Sequence, residues 1–277
     1  MTILQSAPAR LAMRAYQKGR LVRGRLGGAP EWRGVRILGY HRISASRDLL
    51  AVRPDAFRAQ LEEALSAGLE PIPLTRALDL LERPVEGRYL CVTFDDGYRD
   101  NLELAEPILR ELRVPATIFV PSQVIHGNAG YWWYDAPPPA LTWDEARELV
   151  AGGLVDVQAH TRTHPRLPAL DEERAREEIG GCKDEIEAEV GYQVTSFAYP
   201  AGLYTERDAR LVAEAGYRAG LTTDPGVNPG GLPMTTLART LVFWEDSLVD
   251  FRGKLAGLLD RPPRLREWLY RRLRTAG

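Results

Sequence analysis

The chain has 277 residues and a mass of 31.0 kDa, which fits one large domain of α/β-barrel size. At 44% hydrophobic and 27% charged residues it can bury a core, and so it is not a disordered chain. The net charge of −2 gives no reason to expect a nucleic-acid partner, and two cysteines, Cys91 and Cys182, cannot build a disulfide framework. No apolar run approaches the roughly 18 residues of a membrane-crossing helix. Met1 to Gly28 lacks the apolar stretch of a secretory signal, so a cytoplasmic or membrane-peripheral location is expected.

The near-neutral total hides a split. Residues 1–36 hold eight basic residues and one acid, Glu31, a net of +7, and residues 261–277 hold six arginines and one acid, Glu267, a net of +5. The remainder, 37–260, has 22 basic and 36 acidic residues, a net of −14. Leu265, Trp268, Leu269 and Leu273 fall at helical spacing between arginines, the pattern of a segment that docks on the body or lies on an anionic membrane. The chain therefore divides into a basic extension (1–34), an acidic body (35–260) and a basic amphipathic tail (261–277).

In chain order, Val35 to Tyr40 reads as a strand, and Phe57, Leu61 and Leu65 mark a helix. Pro71–Leu74 is a brief strand, followed by a helix near Ala77–Leu81. Tyr89–Phe94 is a strand rich in β-formers, Leu102 to Leu109 a helix, and Pro115–Val120 a strand. A long loop spans 121–140. Thr142 and Glu145 form a capping box that opens the next helix. Leu154–Ala159, Thr195–Tyr199, Tyr217–Thr222 and Leu237–Phe243 complete the strands. Helices at 172–190, 206–215 and 248–259 lie between and after them. Seven or eight βα units imply parallel strands covered by helices, arranged as an irregular (β/α) barrel in one domain.

In such a barrel the functional groups sit at the C-terminal strand ends. His41, Asp95-Asp96-Gly97, His160 and Tyr199-Pro200 occupy four of these ends. Neighbouring residues of a strand face opposite ways, so Asp95 and Asp96 can reach one site only if the chain turns at once, which Gly97 permits. Taken alone, Asp-Asp-Gly reads first as a turn with solvated carboxylates. His160-Thr161-Arg162-Thr163-His164 puts two imidazoles within reach of one centre. Two histidines and a carboxylate make a divalent-metal set with positions left for water and substrate. A non-haem iron oxygenase uses the same set, but on an all-β pattern that this chain lacks. The two cysteines read as ordinary buried thiols.

Three segments in order resemble the polysaccharide deacetylases, the carbohydrate esterase group with a NodB-like domain. They are Thr93-Phe94-Asp95-Asp96-Gly97, His160-Thr161-Arg162-Thr163-His164 and Phe197-Ala198-Tyr199-Pro200-Ala201-Gly202, and the likeness covers about residues 35–255. The resemblance implies a barrel of that type and a hydrolase that removes N-acetyl groups from a glycan or sugar conjugate. It implies one divalent metal, zinc before cobalt, nickel, manganese or iron, on Asp96, His160 and His164. It also implies Asp95 as the general base.

The general acid is usually a late histidine, and none follows His164. Ile37-Leu38-Gly39-Tyr40-His41-Arg42-Ile43 resembles the first strand of the poly-N-acetylglucosamine deacetylase branch, which makes His41 the acid, with His126 as the other candidate. Where many relatives carry an arginine that orients the aspartate, this chain has Ala198. The aspartate-tryptophan pair that supports that arginine is also missing, with Thr223-Asp224-Pro225-Gly226 the nearest segment. The loss of the arginine keeps a sugar-binding pseudoenzyme in view, beside an amidase acting on a small non-glycan amide. Aromatic faces stack on sugar rings, so Trp132, Trp133 and Tyr134 are a candidate substrate wall, with Tyr199 and Pro200 at the pocket floor. The same rings could instead cover the protein's own core.

Overall fold

The computed structural model describes residues 31–260, so most of the basic extension and the whole amphipathic tail lie outside the described residues. The spine of the fold is a curled nine-stranded sheet, eight of its strands parallel, with helices on its outer face. The first strand, β1 (Gly34–Tyr40), pairs along its whole length with β5 (Arg88–Phe94), in register from Gly34↔Arg88 to Tyr40↔Phe94. From β5 the sheet continues through β6 (Ala116–Val120), β7 (Val155–Ala159), β8 (Ser196–Ala198) and β9 (Ala219–Leu221). The segment 237–241 closes the curl. Leu237 bridges Leu221 of β9, and β11 (Thr240–Leu241) pairs with Leu38 and Gly39 of β1. The expected irregular barrel is thus present, with its closure thinned to two short contacts.

Side chains alternate between two cores because neighbouring strand residues face opposite ways. Val35, Ile37, Cys91, Phe119, Ala198 and Leu221 pack inside the barrel. Leu38, Tyr40, Val92, Phe94, Val157 and Phe197 face the helices. Each fully buried aliphatic or aromatic side chain contributes about 1.5–3 kcal/mol. Burial also explains the thiols: the Cys182 pKa is pushed up to about 12, so neither a nucleophile nor a ligand is offered there.

Several element boundaries differ from the sequence reading. The brief strand at 71–74 is only β4 (Glu70–Pro71), because Leu74 already opens a helix, Leu74–Leu81. The strand expected over 237–243 is regular only at Thr240–Leu241, with Leu237 joined to β9 by a single bridge. Two features carry no clear sequence pattern. One is β10 (Val227–Asn228), antiparallel to the start of β1. The other is a small parallel pair, β2 (Arg42–Ile43) with β3 (Ala51–Val52). The loop 121–140 contains one short helix, Ser122–Ile125. The capping box at Thr142 and Glu145 forms as expected and opens the helix Trp143–Ala151.

Candidate active site

Strand ends position the acidic and imidazole groups. Asp95 N donates to Tyr40 O (2.9 Å) and His160 N to Val120 O (3.0 Å), so each ladder runs one residue beyond its strand. The chain then turns sharply. Asp96 and Gly97 both adopt left-handed backbone, with φ of 72° and 67°. A Cβ at Gly97 would come within 2.9 Å of the Val120 and Ile125 side chains, so glycine is required twice over. For Asp96 this conformation costs about 1–3 kcal/mol, a strain typical of functional turns. The Tyr131 hydroxyl steadies it by donating to Asp96 O (2.9 Å).

The turn brings Asp96 to both histidines. Its Oδ1 lies 3.5 Å from His160 Nε2 and 3.3 Å from His164 Nε2, and the three side chains offer ligand atoms within 4.8 Å of one another. His160 Nδ1 lies 2.7 Å from Ala198 O. A carbonyl only accepts, so Nδ1 carries the proton and Nε2 presents its lone pair, the arrangement of a metal-ligating histidine. Asp96 Oδ1 is buried without a hydrogen-bond partner, which costs about 1–3 kcal/mol unless something positive meets it. Burial and the Asp95 charge push the Asp96 carboxyl well above its ordinary range. Burial pulls both histidines below theirs. A divalent cation would relieve all three, and the donor set fits one.

Beside this cluster lies a fully buried ion pair that the sequence reading missed. Arg239 Nη1 and Nη2 donate to Asp95 Oδ1 (2.6 Å) and Oδ2 (2.7 Å), and Nε donates to Thr222 O (3.1 Å). Burial alone would raise the Asp95 carboxyl, but the guanidinium and the nearby imidazoles outweigh it and hold the group at about 2. The guanidinium missing at Ala198 is thus supplied from the segment that closes the barrel. One signal was available: an arginine stands in the middle of the apolar run Leu237 to Val242, and a buried arginine demands an anion. The Thr223–Gly226 segment contributes a backbone contact, with Arg239 N donating to Asp224 O (2.9 Å).

His41 Nε2 lies 3.9 Å from Asp95 Oδ2. Burial lowers its pKa to about 4 against the opposing pull of Asp95, so the resting imidazole is neutral. Its carbonyl accepts from Asn101 Nδ2 (2.8 Å). His126, the other candidate acid, is exposed, and its Nδ1 accepts from Trp143 Nε1 (3.0 Å). The structure therefore places His41, and not His126, against Asp95.

The aromatic loop splits between the two readings. The Trp133 ring packs on His164 at 4.4 Å, and its Nε1 donates to the Tyr98 hydroxyl (3.3 Å). The Tyr134 hydroxyl bonds Asp48, which also accepts from Arg42 (3.0 Å). These two rings brace the site. Trp132 alone stays 57% exposed, with its Nε1 donating to His164 O (3.2 Å) and Arg166 over its ring. Tyr199 is fully buried, stacks on Tyr204 and donates its hydroxyl to Thr235 O (2.8 Å). With Pro200 it is part of the packed wall behind the site, and its hydroxyl is already committed.

Comparisons with known proteins identify the family. Residues 82–220 match the family model described as polysaccharide deacetylase, and the chain belongs to that family. The polysaccharide-deacetylase-like protein YxkH of Bacillus subtilis is 29% identical over 208 residues, 74% of this chain and 70% of that protein. The poly-beta-1,6-N-acetyl-D-glucosamine N-deacetylase of Escherichia coli K12 is 20% identical, and the match spans 83% of this chain but only 40% of that protein. The solved structure of IcaB from Ammonifex degensii superposes with a TM-score of 0.68 at 25% identity, covering 83% of this chain and 99% of that one.

Proposed function

We propose that this protein is a metal-dependent N-deacetylase of an N-acetylated glycan, with poly-N-acetylglucosamine-type polymers the first substrates to try. One observation carries the reading. Asp96, His160 and His164 converge with an orphaned buried carboxylate oxygen, and an Arg239-held Asp95 and His41 lie beside them. A deacetylase name on a relative that this chain matches supports the substrate class.

Asp96, His160 and His164 would hold the cation, zinc before the other divalent ions. When bound, it supplies Lewis-acid polarisation of the amide carbonyl and acidification of water. Asp95, kept ionised by Arg239, takes the proton of the attacking water. His41 delivers a proton to the leaving nitrogen. A neutral resting imidazole must gain that proton during the cycle. The proton that Asp95 takes from the water is its source, passed on from Asp95 Oδ2 to His41 Nε2, 3.9 Å away. Negative charge developing on the carbonyl oxygen raises its proton affinity at the moment it is needed. The exposed face of Trp132 is the surface on which a sugar ring can stack. Arg239 gives Asp95 the guanidinium that Ala198 does not, which favours an enzyme over a binding-only relative.

The test is acetate release from N-acetylglucosamine oligomers, peptidoglycan fragments and sugar–lipid conjugates, with and without chelator. Release that stops with chelator and returns with Zn²⁺ is expected. Asp95→Asn should keep the metal and lose turnover by at least about 10²-fold. Chelator-insensitive release, or near-normal release by Asp95→Asn, refutes the mechanism. If no glycan yields acetate while a small amide does, the substrate assignment fails alone.

A further inference from the structure

The helix region 172–190 breaks local rules. It holds Gly180 and Gly181 in its interior, where each glycine costs about 1 kcal/mol relative to alanine. It runs as an α-helix over Glu172–Arg176, widens to a π-turn over Glu177–Gly181, and resumes as an α-helix over Cys182–Val190. Such turns are uncommon and tend to lie at functional sites. Local inconsistencies of this kind call for a compensating gain elsewhere.

The gain lies in the loop between the two histidines. Glu178, on the π-turn, accepts at Oε2 from Arg162 N (2.8 Å) and Thr163 N (2.9 Å), and at Oε1 from the Thr163 hydroxyl (2.7 Å). The Arg162 side chain lies across Gly181, where a Cβ would come within 2.9 Å of its Cδ, and Arg162 Nε donates to Glu185 (2.8 Å). From the other side, Ser122 N donates to Thr161 O (3.2 Å) and Gln123 N to Arg162 O (2.9 Å). The loop needs gripping, because Thr161 and His164 both hold left-handed backbone, at φ of 68° and 59°.

The two histidines are fixed differently. His160 is set by the end of β7 and by Ala198 O. His164 has no hydrogen-bond partner at Nδ1, so the loop backbone and the Trp133 ring position it. The second π-turn among the described residues, Asn101–Ala105, works on the other side of the site, where Asn101 bonds the His41 carbonyl.

We propose that Glu178 is a positioning residue for the cation site. Its carboxylate, set by the π-turn, seats the 161–163 backbone and thereby aims His164 at Asp96 and His160. This rests on the reading that those three residues hold a divalent cation.

Calorimetry of Zn²⁺ binding to the chelator-stripped full chain tests it, with unfolding of each metal-free variant followed in parallel. Glu178→Ala should unfold cooperatively and bind Zn²⁺ about 10- to 100-fold more weakly, the usual cost of losing an outer partner of a metal ligand. Glu178→Gln should stay within about threefold of wild type. Its amide oxygen can still accept both backbone N–H groups, and its NH₂ can donate to Thr163. Glu173→Ala, exposed on the same helix, should be unchanged.

Equal affinity for Glu178→Ala and wild type overturns the proposal, as does a Glu178→Gln variant as weak as the alanine one. If Glu178→Ala does not fold, Thr163→Val serves instead by removing one of the three bonds. A weaker Kd then supports the seat, and an unchanged Kd refutes it. If the wild type itself takes up no Zn²⁺, the cation site fails, and this inference falls with it for that separate and visible reason.

Discussion

Arg239 and Asp95 have both been taken out of water, and the pair holds only because each satisfies the other. Removing one partner of such a pair strands the other charge, at a cost of about 3–5 kcal/mol. Arg239→Met should therefore cost about that much at pH 7, measured by urea unfolding, and abolish acetate release. A loss below about 1 kcal/mol would mean that Asp95 is not held as described. The sign with pH follows from the lowered Asp95 pKa: the pair's contribution is present above the ordinary carboxylate range and disappears as pH falls toward 2.

Asp156, inside the barrel on β7, has the opposite sign. Burial raises its pKa to about 6, its Oδ1 has no partner, and Oδ2 has a 3.3 Å bond from Gln158. The folded state thus binds this proton more tightly than the unfolded chain. Stability from this group is greatest below the unfolded pKa and is lost as pH rises through about 6. Asp156→Asn should be more stable than wild type by about 1–2 kcal/mol at pH 7.5. The gap should close as pH falls toward 4, and a gap independent of pH would exclude the ionisation as its cause. At this scale the sequence was readable where residue type and strand end coincide, as at His41, Asp95, Asp96, His160 and His164. It was silent where the partner is remote, because the 144-residue separation of Arg239 from Asp95 leaves no local pattern.

Elements were readable where the pattern is long or the cap is chemical. The Thr142–Glu145 capping box forms as expected, and the structure adds a second at Thr205 and Asp208 that the sequence reading did not name. They were unreadable where pairing is decided from outside, as in the two-residue strands β2, β3 and β10, or where the period shifts, as in the two π-turns. The helix Pro54–Ser66 shows how an element without site residues still sets the site. Its Phe57, fully buried, meets Tyr40 edge-on at 5.0 Å and Phe94 at 5.8 Å. Those two rings immediately precede His41 and Asp95. Phe57→Ala should cost about 3–5 kcal/mol and loosen both strand ends. Zn²⁺ affinity should fall less than turnover, because His160 and His164 stand on other supports. Turnover per folded molecule equal to wild type would show that the two ends are held by the sheet alone.

At the scale of the whole molecule, the charge split acquires a location. Trp32 lies between the Arg36 and Arg88 guanidinium groups at 4.9 and 4.6 Å, and its Nε1 donates to Leu255 O (3.1 Å). Arg36 donates twice to Asp260, at 3.0 and 2.9 Å. The first and last described residues are therefore tied together where β1 begins, at the end of the barrel away from the strand ends that carry the site. Residues 1–30 contain six basic residues and no acid, and 261–277 contain six arginines and one acid. Attraction of both segments to an anionic leaflet, at about 1 kcal/mol per basic group near the surface, would leave the catalytic mouth facing away from it. Co-sedimentation with vesicles containing anionic lipid should then weaken on deletion of 261–277 and on raising salt, since charge attraction is screened within about 8–10 Å. Acetate release from soluble oligomers should be unaffected. Vesicle binding that survives the deletion unchanged would remove the C-terminal segment from any membrane role, whatever its charge.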